Sequence, residues 1–173
     1  NYIYGTGAVL PAMAAVGEDM SQPYIRQAVY WLVDHQNYDG GWGESCGSYA
    51  DPNLHGVGPS TASQTSWALL ALMAAGEVDN LTVHDGVRFL TGSQTSEGCW
   101  DEPHFTGAGF PGYLMGERPD ELPKPGERGH QGRNISAGFM INYHLYRNYW
   151  PLLALGRFRK LSATTGSYIN IAS

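Results

Sequence analysis

The chain has 173 residues, 42% of them hydrophobic and only 15% charged, with a formal net charge of −6. That length suits one domain or part of a larger one, and so small a charged share is unusual for a free-standing soluble domain. The negative balance gives no reason to expect a nucleic-acid partner, no apolar run reaches the length of a membrane span, and 23 glycines without a three-residue period exclude collagen and indicate many tight turns.

The chain opens at Asn1, inside what reads as an ordered turn, and is expected to carry no leader peptide and to be cut from something longer. Ala8 to Val16 reads as a short first helix, with Pro11 placed in its first turn and Gly17 ending it. Pro23 opens a second helix, with Ser21 as its cap. Ile25, Ala28, Val29, Leu32 and Val33 recur on it at helical spacing, and His35 closes it. A turn, QNYDGGWG, follows. Ser60 to Ala75 is the third helix, with Ser60, Thr61 and Ser63 as candidate caps and Gly76 as terminator. The fourth spans about Val83 to Leu90, capped by Asp79 or Thr82, and leads into TGSQTSEGCW.

The stretch from Thr106 to Gly138 is rich in Pro, Gly and polar residues and reads as a long surface excursion, with a loop insertion about 112–136. An aromatic helix is expected from about Ala137 to Tyr149, broken or kinked by Pro151, with LLALGRF continuing it. From Arg159 the tail has little periodicity and is expected to be partly disordered. Cys46 and Cys99 lie in no C-x-x-C pair and at no metal-ligand spacing, and read as free thiols of a reducing compartment. Neither they nor any acidic cluster implies a metal, and the solvated-turn reading is preferred for Asp101 and Glu102.

Two segments match at fixed offsets. QAVYWLVDHQNYDGGWG starts at Gln27 and DGVRFLTGSQTSEGCWD at Asp85. Each carries a small residue (Ala28, Gly86) eight before a Gln (Gln36, Gln94), an aromatic and a Leu between, then Gly40 or Gly98 and Trp42 or Trp100. A period near fifty-eight residues, one helix pair per repeat, implies an all-α toroid or solenoid. Gln36, Trp42, Gln94 and Trp100 read as structural. A helix-end Gln can reach backbone groups at the next helix start, and the glycines let the chain turn beneath the indole.

These Gln-Trp turns, with NYIYGTG, DGGWGESC, PSTASQTSWALLAL, GAGFP and FMINYHLYRNYWPLLALGRF, resemble the squalene-hopene cyclases and, more broadly, the triterpene cyclases. The resemblance covers Asn1 to about Phe158. It implies an α/α barrel of helix pairs with Gln-Trp repeats. Residues 1–158 would be the C-terminal part of the catalytic barrel, a partial barrel completed by other sequence, and 159–173 a tail. It also implies proton-initiated cyclisation of squalene to a pentacyclic triterpene, hopene or hopanol, without cofactor or metal. The family's proton donor, in a D-x-D-D motif, has no counterpart in this chain and is expected upstream with the second barrel. Expected partners are squalene or a related polyprene, the remainder of the cyclase, the cytoplasmic face of the cell membrane as a monotopic protein, and a second copy in a homodimer.

By the same resemblance His35 is the histidine that bonds the catalytic Asp, although its position alone reads as an ordinary helix-end residue. Tyr4 is a cavity tyrosine near the initiation site. Phe110, Phe139, Tyr143 and Tyr146 are cation-facing rings of the cavity wall. From spacing alone the last three form one helical face that would ordinarily be core. Trp67 either packs between helices or faces the pocket, and is carried as a substrate-binding residue. Glu44 and Cys46 are placed in a polar network behind His35. Cyclising an alkene needs a strong acid, a dry cavity and aromatic faces that attract cations without capturing them. The alternatives are an oxidosqualene or other polyprenoid cyclase of the same fold, or an inactive fragment. A protein prenyltransferase subunit would need zinc ligands, a thioester domain a C-G-E-Q segment, and a diphosphate-ionising synthase a D-D-x-x-D motif. None is visible.

Overall fold

The computed structural model describes residues 2–49, 51–104, 107–109, 139–141 and 143–165. Helices dominate: α1 (Tyr2–Ala15), α2 (Pro23–Asp34), α3 (Ala62–Ala74), α4 (Leu81–Gly92) and α5 (Tyr146–Thr165). Two short 3-10 turns, Cys46–Tyr49 and Pro52–Leu54, lie between α2 and α3. A pair of three-residue strands, β1 (Gly107–Gly109) and β2 (Phe139–Ile141), is antiparallel, with Gly107 opposite Ile141 and Gly109 opposite Phe139.

The core is built around α3. From Ala62 to Met73 every residue of it is buried except Gln64. A helix apolar on all sides must be surrounded, and α1, α2, α4 and α5 all pack against it. Leu69 and Leu72 are fully buried there, each contributing about 2 kcal/mol. Ile25, Val29 and Leu32 of α2, Val83 and Leu90 of α4, and Ala154 and Phe158 of α5 close the same core.

Several elements differ from the sequence reading. Helix α1 begins at Tyr2, not Ala8, so Pro11 lies in its interior rather than its first turn. Ile3, Gly7 and Leu10, spaced four and three apart, form its buried face, and that burial offsets the hydrogen bond Pro11 cannot donate. Two glycines in the first turns masked this face, since glycine is a weak helix former. Ser21 does not cap α2. Its N–H and hydroxyl donate to Asp19 Oδ1 at 2.9 and 2.7 Å, and Gln22 stands at the cap without a side-chain bond. Thr61 caps α3 by accepting from the Gln64 N–H. Asn80, not Asp79 or Thr82, caps α4, its Oδ1 accepting from the Thr82 N–H at 3.0 Å. Leu81 starts that helix 76% exposed, outside the apolar stripe, so periodicity alone misplaced the boundary.

The expected helix from Ala137 to Tyr149 is not formed. Phe139–Ile141 is strand, α5 starts at Tyr146, and it runs through Pro151 to Thr165. Pro151 lies just past the first turn, where it forfeits one backbone bond while its ring is fully buried. The tail from Arg159 is therefore helical to Thr165, because Ala154, Phe158 and Leu161 continue a stripe onto the core. The loop insertion about 112–136 and the last residues, 166–173, lie outside the described residues.

The two matched turns share the same closing bonds. Gln36 Nε2 donates to the Gly40 carbonyl at 2.8 Å, and Gln94 Nε2 to the Gly98 carbonyl at 2.9 Å. The indole N–H of Trp42 donates to Leu32 O and that of Trp100 to Leu90 O, both at 2.8 Å. Gly40 and Gly98 have φ of 84° and 80°, a left-handed conformation that glycine adopts without strain. Gln36 makes a further bond, to the Thr82 carbonyl in the first turn of α4 at 2.9 Å.

Candidate functional site

Aromatic side chains from three helices converge beside the core. Tyr4 of α1 meets Trp67 of α3 edge-on, with ring centroids 5.0 Å apart. Trp67 in turn meets Tyr146 and Trp150 of α5 edge-on at 6.0 and 6.1 Å. Tyr143 stacks on Tyr146 at 4.8 Å. Trp67 is buried at 4% exposure, while Tyr4 and Tyr143 are about half exposed, at 48% and 47%. The group thus has a packed centre and an open face. Burial first, then the neighbouring Tyr149, Tyr4 and Tyr143, raises the pKa of the Tyr146 hydroxyl above the usual tyrosine value. The phenol stays neutral, and the surface offers π-faces to a cation rather than a phenolate nucleophile.

His35 stands at the C-cap of α2, half-buried. Its Nδ1 lies 2.8 Å from the Trp31 carbonyl, and its ring stacks on Trp31 at 4.2 Å. A carbonyl only accepts, so Nδ1 carries the proton and Nε2 holds the lone pair of the neutral ring. Gly56, at φ 71°, passes so close that a Cβ there would sit 2.4 Å from His35 Cδ2. The same position is 2.9 Å from Trp31 Cζ2, so the loop closes against both stacked rings and limits their movement. Tyr2 extends this group, 6.2 Å from Trp31 and 3.8 Å from the His55 ring.

Two expectations about acidic residues are corrected. Glu44 does not join a network behind His35. Its Oε2 accepts from the Ile3 N–H at 3.0 Å, and its carbonyl accepts from Gln64 Nε2 at 3.4 Å. The Cys46 side chain lies outside the described residues. Glu102 is not in a solvated turn. It is 5% exposed and accepts from the Ser63 N–H and hydroxyl at 3.0 and 2.6 Å. Only Asp101 is solvated, pairing with Arg147 at 3.2 Å. The physical reason is the alternation after Trp100: Asp101 faces out and Glu102 turns in, under the start of α3.

The structure thus brings Tyr4, Trp67, Tyr143 and Tyr146 together. It places Phe139 in β2 rather than on their helix, with a side chain outside the described residues, and Phe110 lies outside them as well. Trp150 was missed in sequence because it falls one residue past the expected helix end. Glu44 and Glu102 had a signal that went unread, a Trp-x-Glu in both repeats. Among the described residues no group of three or more His, Cys, Asp or Glu could hold a metal ion, and no helix is long and apolar enough to cross a membrane.

Comparison with known proteins identifies the family. The family model described as the squalene-hopene cyclase C-terminal domain matches residues 1–118. A probable squalene-hopene cyclase of Sinorhizobium fredii is 44% identical over 165 residues, covering 95% of this chain and 22% of the relative. The squalene-hopene cyclase of Bradyrhizobium diazoefficiens is 41% identical over 172 residues, 99% of this chain and 22% of the relative. A dammaradiene synthase of the plant Dryopteris crassirhizoma is 36% identical over 92% of the chain and 22% of that protein. The chain spans about a fifth of the length of these relatives. It belongs to the squalene-hopene cyclase family, whose C-terminal domain it carries.

Proposed function

We propose that this chain is part of a cyclase that converts squalene to a pentacyclic triterpene by protonation followed by a cascade of carbocations. The observation that carries the proposal is the convergence of Tyr4, Trp67 and Tyr146 from three separate helices on one aromatic surface. Each ring face that meets a passing cation contributes about 0.5–2 kcal/mol, more as water is excluded. Tyr4 borders the initiation end. Tyr143 and Tyr146 face the early cations, and Phe110 and Phe139 the mid-reaction ones. Trp67 backs the wall.

His35 is the partner of the proton-donating Asp of a D-x-D-D motif supplied by the rest of the cyclase. With Nδ1 held by the Trp31 carbonyl, Nε2 is directed to that carboxyl. A hydrogen bond between Nε2 and that carboxyl orients the acid toward the alkene it protonates. The helix pairs belong to an α/α toroid completed by the remaining sequence. The whole protein sits at the cytoplasmic face of the membrane as a monotopic protein, drawing an apolar substrate from the bilayer, and pairs as a homodimer. Squalene is favoured over oxidosqualene because relatives 41–44% identical carry the squalene-hopene name. The likeness to a dammaradiene synthase keeps a different cyclised product as the second reading.

The test is conversion of squalene by the purified full-length protein that contains this sequence, in detergent, with extracted products separated by gas chromatography and mass spectrometry. Pentacyclic product supports the reading. Cyclised products from oxidosqualene alone would transfer it to the second class, and unaltered squalene and oxidosqualene would overturn it.

A further inference from the structure

We infer that Glu44 and Glu102 are positioning residues that set the aromatic wall, each by tying down the first helix of its own repeat. Both follow a repeat tryptophan by two residues, as Trp42-Gly43-Glu44 and Trp100-Asp101-Glu102. Both are buried, at 6% and 5% exposure. Glu44 returns across the α1–α2 pair to the Ile3 N–H in the first turn of α1. Glu102 returns across the α3–α4 pair to the Ser63 N–H and hydroxyl in the first turn of α3. The repeat unit is therefore longer than Gln-to-Trp. It closes with a carboxylate that satisfies first-turn amides of the helix that began the repeat and favours its positive end.

The position of each bond relative to the wall makes it more than a fold clamp. Ile3 is the residue before Tyr4, and Ser63 lies four residues, about one turn, before Trp67. Tyr4 and Trp67 are themselves in edge contact at 5.0 Å. The two carboxylates thus hold the ends of two helices whose next rings form one surface. The two clamps differ in strength. Both oxygens of the Glu102 carboxylate are engaged by Ser63, whereas Glu44 Oε1 is buried without a hydrogen-bond partner among the described residues. Ile3 occupies the place where a serine hydroxyl would answer it. Glu102 is accordingly the stronger clamp, and its removal displaces Trp67.

This inference rests on the cyclase reading for its catalytic consequence but not for its structural one, so two readouts are needed on the full-length protein. The first is backbone amide exchange followed by mass spectrometry, in Glu102→Gln and Glu102→Ala. Glu102→Ala exchanges the first turn of α3 about tenfold faster than wild type, as expected for loss of a charged hydrogen bond. Glu102→Gln, whose amide oxygen still accepts from the Ser63 N–H, restores part of the protection. Unchanged exchange in the Ala variant overturns the inference whatever the substrate. Should Glu102→Ala not fold, faster exchange in Glu102→Gln at that turn, with the other helices unchanged, carries the same meaning, and unchanged exchange there overturns it.

The second readout is the product mixture from squalene with Glu102→Gln. A displaced Trp67 shifts Tyr4 and Tyr146, which pack on it, and these rings then stabilise their cations less, so proton loss occurs earlier and the fraction of partially cyclised products rises at least severalfold. A clamp that served folding alone would lower total turnover and leave the product ratio unchanged, which overturns the positioning role. If the wild-type protein cyclises nothing, the function proposed above fails, and the exchange experiment still decides whether the carboxylates clamp their helices.

Discussion

A Cβ on Gly7 would lie 2.7 Å from the Trp67 Cβ and 3.0 Å from its carbonyl oxygen, so α1 meets α3 with no room for a methyl group. The contact sits midway along α1, between the buried Ile3 and Leu10, and sets the separation of the two helices that carry Tyr4 and Trp67. Gly7→Ala gains about 1 kcal/mol of helix propensity and forces the helices apart at a cost of about 1–3 kcal/mol. The net expectation is a lower midpoint of thermal unfolding in the full-length protein, together with a shift in tryptophan emission. A raised midpoint would show that the contact is slack.

Helix capping offers a sharper local test. Thr61→Ala and Asn80→Ala each remove a side-chain oxygen that accepts a first-turn N–H, and each should cost about 1 kcal/mol. Ser21→Ala removes a hydroxyl that bonds Asp19 rather than α2 and should cost under about 0.5 kcal/mol. Parallel unfolding curves of the three variants rank them. A Ser21→Ala loss equal to the other two would mean that α2 depends on that turn.

Glu77 gives the protein an acid-side pH dependence. Burial raises its carboxyl pKa, but the hydrogen bonds from Asn80 and from Arg26, the latter at 2.7 Å, outweigh it and hold the group below the usual value of 4.5. Above that value the group is ionised in both folded and unfolded chains, and the pair contributes in full. As pH falls below it the unfolded chain binds the proton first, and the contribution is lost through the folded pKa. Glu77→Gln should therefore be less stable than wild type at neutral pH, with the gap closing as pH falls below 4.5 and through the lowered folded pKa. A gap that stays constant across that range would exclude the ionised pair as its source.

For His35, the expectation is a loss of turnover without a loss of fold. His35→Gln should lower kcat for squalene by about a hundredfold or more, the usual weight of a residue engaged in proton transfer, while the unfolding midpoint moves little. Gly56→Ala should lower both turnover and the unfolding midpoint, because its Cβ would meet His35 Cδ2 at 2.4 Å and Trp31 Cζ2 at 2.9 Å and its φ of 71° strains any residue but glycine. Turnover of His35→Gln within a few fold of wild type would leave the histidine a helix-end residue.

Much of the fold was legible because it is periodic. The stripe of Ile25, Val29 and Leu32 and the unbroken apolar run of α3 carry their helical character in their spacing, and burial of those same residues is what holds the core. The Gln-Trp turns were legible for a different reason. A left-handed glycine, a helix-end amide and an indole N–H must recur at fixed offsets for the turn to close, so the chemistry shows in the letters. The α1 face was hidden because Gly7 is chosen for closeness to Trp67 rather than for helix propensity. The segment from Phe139 was misread because an aromatic run of that length suits strand and helix alike, and only its pairing with Gly107–Gly109 decides.

The sequence by itself determined the helix-pair repeat, the family and the residues proposed for the reaction, because these depend on local spacing and on residue types that few other arrangements use. The tertiary structure alone decided which of those residues meet. Tyr4, Trp67 and Tyr146 are far apart in the chain, and their convergence follows from the packing of α1 and α5 on α3. It likewise decided that Glu102 turns inward while Asp101 stays in water. A carboxylate reveals its role only when the amide it serves, thirty-nine residues away, is brought against it.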